Sequence, residues 1–127
     1  MKKLLLIMLA VLSTAVFGQS KTTAPKYLTT SNFESSINTG VVVVEFTAPF
    51  ANSYKDWNKI KDCKYYRVDI EKYPALKDKY KIRALPTVIL FNNGTKEDMW
   101  RGNIMLELEL DPEEIQEAIE DLLSNKF

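Results

Sequence analysis

The apolar positions of this chain change period several times, and each change marks an element. Residues 4–16 form one mostly apolar run behind the basic start Met1-Lys2-Lys3, and residues 19–26 are polar and read as a flexible lead-in. Tyr27-Leu28-Thr29 predicts a short strand. Ser31-Asn32-Phe33-Glu34 is a capping-box pattern: the Ser31 oxygen can accept a backbone N–H of the first turn while Glu34 reaches back. Phe33 and Ile37 then share one helical face to about Asn38, and Thr39-Gly40 ends it. Val41 to Phe46 is an unbroken β-branched and aromatic run, the pattern of a central strand covered on both faces. A short helix is predicted from about Ala51 through Trp57 and Ile60 to about Asp62. Lys64 to Ile70 predicts the next strand, and Pro74 the first turn of a helix through Leu76 and Tyr80. Thr87 to Phe91 predicts a further strand. Asn92-Asn93-Gly94 is a hairpin signal, with Lys96 to Arg101 returning.

Ile104 to Leu110 alternates with period two, Ile104, Leu106, Leu108 and Leu110 against Met105, Glu107 and Glu109. That predicts a half-buried strand or extended arm, packed on its own domain or paired with a partner chain. Asp111-Pro112-Glu113-Glu114 opens the last helix with a cap, a proline at the first position and acids in the first turn. Ile115, Ile119 and Leu122 form its apolar face. Strands alternating with helices, then a hairpin and a terminal helix, predict an α/β sheet covered on both faces.

The basic start, the short apolar run and small Gly18 have the layout of a secretory signal peptide over residues 1–18. The run is too short to span a bilayer comfortably, so no stable membrane insertion is expected after cleavage. The expected destination is export, to the periplasm or the medium. What remains is about 109 residues, enough for one domain with one core. Without Lys2 and Lys3 its net charge is about −2, from 17 basic and 17 acidic residues in the whole chain. That argues against nucleic acid and anionic membrane as partners. There are 0 histidines and 1 cysteine, Cys63. The usual general base near neutral pH is therefore missing, no intrachain disulfide is possible, and a zinc site is not expected.

Several segments resemble the thioredoxin family. Val44-Glu45-Phe46-Thr47-Ala48 is similar to its first core strand, with an acid where the family often has a buried carboxylate. Arg67-Val68-Asp69-Ile70-Glu71-Lys72-Tyr73-Pro74 resembles its next strand and turn. Lys79-Tyr80-Lys81-Ile82-Arg83-Ala84-Leu85-Pro86-Thr87 resembles the block whose proline is cis in the family. Phe91-Asn92-Asn93-Gly94 and Gly102 continue the match, so the resemblance covers roughly residues 27–127. It implies a thioredoxin-like fold, a central mixed sheet with helices on both faces. It also implies that the redox loop falls at Ala51-Asn52-Ser53-Tyr54, where active members carry Cys-x-x-Cys. Both cysteines are absent here. The interval from that loop to Pro86 is shorter than is usual in the family, and the link at Ile104–Leu110 is longer.

These residues carry little covalent chemistry. Thiol–disulfide exchange needs a thiolate at a helix start and a second thiol to release the mixed disulfide. Ala51 supplies neither, and the hydroxyls of Ser53 and Tyr54 have no histidine to activate them. Cys63 precedes the 64–70 strand and so lies about 20 Å away, at the other end of the sheet. It reads as a partly buried packing residue or as a surface thiol able to join another chain. Glu45 is expected to pair with Arg67 on the neighbouring strand, or to be a relic acid held by water. Leu85-Pro86, cis by resemblance, would present backbone polar groups to a groove walled by Phe50, Ala51, Tyr54 and Leu85, open to an extended peptide. Alternatively the proline serves only the turn. The expected function is a binding module without an enzyme activity or a cofactor, its partner a peptide or protein. The alternatives are a single-thiol redox role through Cys63, or structural dimerisation at the 104–110 edge.

Overall fold

The structure, a computed structural model, describes residues 25–124. The expected signal peptide and most of the lead-in therefore lie outside the described residues. Five strands form one mixed sheet in the order β1-β3-β2-β4-β5. They are β1 (Lys26–Tyr27), β2 (Val41–Thr47), β3 (Lys64–Asp69), β4 (Thr87–Asn92) and β5 (Thr95–Arg101). β1 and β2 run parallel to β3, whereas β4 is antiparallel to both β2 and β5. Among the described residues three helices accompany them: α1 (Thr30–Ile37) between β1 and β2, α2 (Pro74–Lys79) between β3 and β4, and α3 (Pro112–Ser124) after β5.

The alternation of β2 divides the core into two layers. Val42, Val44 and Phe46 face α1 and α2, packing with Phe33, Ile37 and Leu76. Val43 faces the other way, into a layer built from Tyr54, Trp57 and Ile60 and from Ile115 and Ile119 of α3. β4 divides in the same way, with Ile89 and Phe91 in the first layer and Val88 and Leu90 in the second. Both faces of the central strands are thus buried, which is why they read as continuous apolar runs. The β4–β5 turn has positive φ at Asn93 (52°) and Gly94 (86°), the backbone that Asn-Gly hairpins favour.

Several elements differ from the sequence-based expectation. α1 is capped by Thr29, not Ser31. The Thr29 amide donates to Asn32 Oδ1 at 2.7 Å and the Asn32 amide donates back to the Thr29 hydroxyl at 3.3 Å. Ser31 already lies inside the first turn, and Glu34, freed from the cap, pairs with Lys79. The helix expected over residues 51–62 shrinks to a single 3-10 turn, Asp56–Lys59. Trp57 and Ile60 stand three apart, so one such turn aims both at the core, and Asp62 then breaks away with φ of 65°.

The 104–110 segment forms no strand. It coils around Asn103, whose side-chain oxygen accepts from the amides of Met105 (2.8 Å) and Glu107 (3.2 Å). The Leu106 amide donates to the Asn103 carbonyl at 3.0 Å, with Leu106 at φ 59°. The chain then runs as an irregular arm on its own domain: Leu106 packs against the first layer, Leu108 and Leu110 against the second. Ile104 breaks the expected alternation and is left in solvent.

Candidate functional site

The loop after β2 sits at the end of the sheet where the parallel strands finish. The Ala51 amide donates to the Ala48 carbonyl at 3.0 Å and the Asn52 amide to the Leu106 carbonyl at 3.0 Å. The degenerate loop is thus bound at its centre to the arm that follows β5. Ala51 is half-buried, Asn52 exposed, Ser53 half-buried and Tyr54 buried. Where a redox pair would stand there are a methyl group and a phenol. The Tyr54 hydroxyl donates to the Leu110 carbonyl at 2.9 Å. Burial first, then the negative charges of Asp56, Asp111, Glu114 and Glu45, push its ionisation well above the ordinary range, so it is held as a donor.

Beneath the loop lies Glu45, fully buried on the β2 face shared with Val43. Arg67 Nε, from β3, donates to Glu45 Oε1 at 2.8 Å, and the register places the two residues side by side. The Tyr54 amide donates to Glu45 Oε2 at 2.7 Å, and Arg67 Nη2 donates to the Tyr54 carbonyl at 3.2 Å. Carboxylate, guanidinium and one loop peptide therefore form a closed ring of hydrogen bonds. Burial pushes the Glu45 carboxyl above its ordinary 4.5. The Tyr54 amide and then the Arg67 charge pull it back without cancelling the shift. The buried Trp57 indole N–H has no hydrogen-bond partner among the described residues. Chemically this ring fastens the loop; it offers no nucleophile.

The Leu85–Pro86 peptide is cis, and both residues are buried. The Gly102 amide donates to the Pro86 carbonyl at 2.7 Å. A methyl group on Gly102 would lie 2.7 Å from the Leu85 carbonyl carbon, so the end of β5 can approach this turn only as glycine. Beside it opens a depression of about 590 Å³. Its apolar lining comes from Phe50, Ile70, Pro74, Ile82 and Leu85, with Glu71, Lys77 and Arg83 around it. Phe50 is 59% exposed.

The expected groove is brought together only in part. Phe50 and Leu85 share the depression. Tyr54 does not: it lines a separate one, about 400 Å³, with Asn52, Ser53 and residues 107–110. Its ring stands edge-on to Trp57 and its hydroxyl is tied to the arm, which turns it away from the Leu85 side. Ala51 lines a third, smaller recess with Tyr27 and Asp69. Pro86 is buried behind Leu85 rather than lining the depression. Ile70, Pro74 and Ile82 are lining residues that the sequence-based expectation lacks. Their signal is positional, because they sit in the links at the carboxyl ends of parallel strands, where open α/β sheets form crevices.

Cys63 lies far from this end. Lys64 pairs with Val42 and Asp69 with Thr47, so nearly the full strand separates Cys63 from the loop. It is half-buried, and burial followed by the Asp62 charge pushes its thiol up to about 12. It is therefore protonated and weakly nucleophilic near neutral pH. Among the described residues no group of three metal-ligating side chains comes together, and no helix is long and apolar enough to cross a membrane.

Comparison with known proteins adds four findings. The family model described as "Thioredoxin" matches residues 24–110. "Thioredoxin Y1, chloroplastic" of Arabidopsis thaliana is 37% identical over 82 residues, covering 65% of this chain and 44% of that protein. "Thioredoxin" of Chlamydia caviae is 28% identical over 81 residues, covering 58% of this chain and 79% of its own. The chain thus spans less than half the length of the plant relative. A solved structure of a mutant thioredoxin from Halobacterium salinarum NRC-1 superposes with a TM-score of 0.59 at 20% identity, covering 76% of this chain and 88% of that one. At that identity the likeness speaks for the fold alone.

Proposed function

The chain belongs to the thioredoxin family, and we propose that it is a member without disulfide-exchange activity, exported and used as a binding domain for peptide or protein. With a single cysteine, no Cys-x-x-Cys pair exists anywhere in the sequence. The phenol and methyl group at the loop, the absence of histidine and the protonated state of Cys63 all weigh against a covalent role. The observation that carries the binding reading is Phe50. It is a large aromatic side chain, 59% exposed, over a depression with an apolar lining. Leaving it in water forgoes about 2 kcal/mol of burial, which a bound apolar side chain would recover. Lys77, Arg83 and Glu71 would fix the orientation of an extended partner through its charges.

Three measurements test this. In an insulin-reduction assay with dithiothreitol, the protein should not exceed the background rate. Turnover lost in Cys63→Ser would overturn the redox-inactive reading. Peptides selected from a random library on the wild-type protein should lose binding to Phe50→Asp. A pool bound equally by both forms would remove the groove from the proposal. The export reading predicts processing near Gly18, checked by N-terminal sequencing of protein recovered outside the cytoplasm.

A further inference from the structure

We propose that two copies of this chain close on each other reciprocally, each seating its Ile104–Met105 turn in the Phe50–Leu85 depression of the other. The proposal rests on that depression being a binding groove and names its occupant. Ile104 is 95% exposed and Met105 68%, adjacent apolar side chains at the tip of a turn. The turn is built rather than loose. Asn103 accepts from the amides on either side of Leu106, and the Leu106 carbonyl accepts from Asn52. Two large apolar groups are thus held out in water by a fixed backbone, which an isolated domain does not need.

The charges on the two sides are complementary. The turn runs on into Glu107 and Glu109, both exposed, whereas Lys77 and Arg83 outnumber Glu71 around the depression. The volume of about 590 Å³ is that of a pocket able to bury such side chains. Topology supplies the symmetry. β5 runs in the same direction as β2, so the turn after β5 and the Phe50 loop after β2 emerge at one end of the sheet. The Asn52–Leu106 hydrogen bond, 3.0 Å, holds them side by side. With turn and depression on one end, a single two-fold axis satisfies both contacts at once and closes the assembly. A foreign peptide of the same apolar and acidic character is the competing occupant.

Sedimentation equilibrium of the purified protein, from micromolar to millimolar, tests the proposal. The wild type should reach a dimer and stop there. Ile104→Asp and Phe50→Asp alter exposed positions and should each weaken the dimer roughly a hundredfold, since two-fold symmetry puts the lost side chain in both contacts. Mixed together they should associate more tightly than either variant alone and more weakly than the wild type, because the mixed dimer keeps one of its two contacts: the first variant's intact depression receives the second variant's intact turn. A wild type that stays monomeric at millimolar concentration overturns the proposal. So does a dimer that survives in both variants, or a mixture that associates no more tightly than either variant alone. If the wild type is monomeric yet library peptides bind it and not Phe50→Asp, the groove stands and its occupant is a foreign peptide. If the dimer forms as described while no peptide binds, the second copy is the groove's sole ligand.

Discussion

Replacing Arg67 by methionine should turn the Glu45 ring into a pH-dependent liability. The substitution keeps an apolar stem in a mostly buried place, the Arg67 side chain being 12% exposed, and removes the charge and both donated hydrogen bonds. Losing the bond to the Tyr54 carbonyl should cost about 1 kcal/mol at any pH. The remainder depends on protonation. Glu45 titrates above 4.5 in the folded wild type, so between 4.5 and its folded value the native state binds more protons than the unfolded chain. Wild-type stability therefore falls as pH rises through that window. Without Arg67 the folded value rises further and the window widens upward. The slope can reach about 1.4 kcal/mol per pH unit, and a carboxyl held neutral at pH 7 against an ordinary 4.5 costs at most about 3.4 kcal/mol. Urea denaturation followed by circular dichroism at several pH values measures this, with the m-value as a check on two-state behaviour. The gap between wild type and Arg67→Met should be about 1 kcal/mol near pH 4 and about 3 kcal/mol at pH 7.5. With Glu45→Gln in both backgrounds the gap should no longer change with pH. Parallel stability curves for wild type and Arg67→Met would refute the reasoning and reduce Arg67 to a packing role.

Three further outcomes follow from the geometry. Gly102→Ala should destabilise by about 1–3 kcal/mol in urea, because its new methyl group meets the Leu85 and Pro86 backbone rather than a movable side chain. Tyr54→Phe should cost about 1 kcal/mol, and hydrogen exchange should quicken at residues 106–110, since the hydroxyl ties the arm at Leu110. Cys63 should react with a disulfide reagent at pH 8 far more slowly than a free thiol, with its value near 12, and should reach the ordinary rate in denaturant.

The elements legible in the sequence are those whose pattern is local. Val41 to Phe46, the Asn93-Gly94 turn and the Asp111-Pro112 helix start each carry their own signal, a run, a dipeptide and a cap. The failures also have local causes. At α1 two capping patterns overlap, and the Thr29–Asn32 pair wins because its side chains close on each other while Glu34 finds Lys79. Around Trp57 the three-residue spacing to Ile60 suits one face of an α-helix as well as a 3-10 turn, so the pattern does not separate the two. At Ile104 the alternation is present but its meaning is not: the Asn103 side chain replaces strand partners for the Met105 and Glu107 amides and coils the chain instead.

Residue identity and order alone carry the family frame, the absence of a cysteine pair and the lack of a histidine base. Which side chains share a surface is set by the packing of distant segments. That packing turns Tyr54 inward to Leu110, sets Phe50 over Ile70, Ile82 and Leu85, and holds Ile104 and Met105 in solvent. Those placements depend on contacts between segments far apart in the chain, Asn52 with Leu106 and Gly102 with Pro86. The periodicity of any one segment is silent about them, since each is fixed by a partner the segment does not contain.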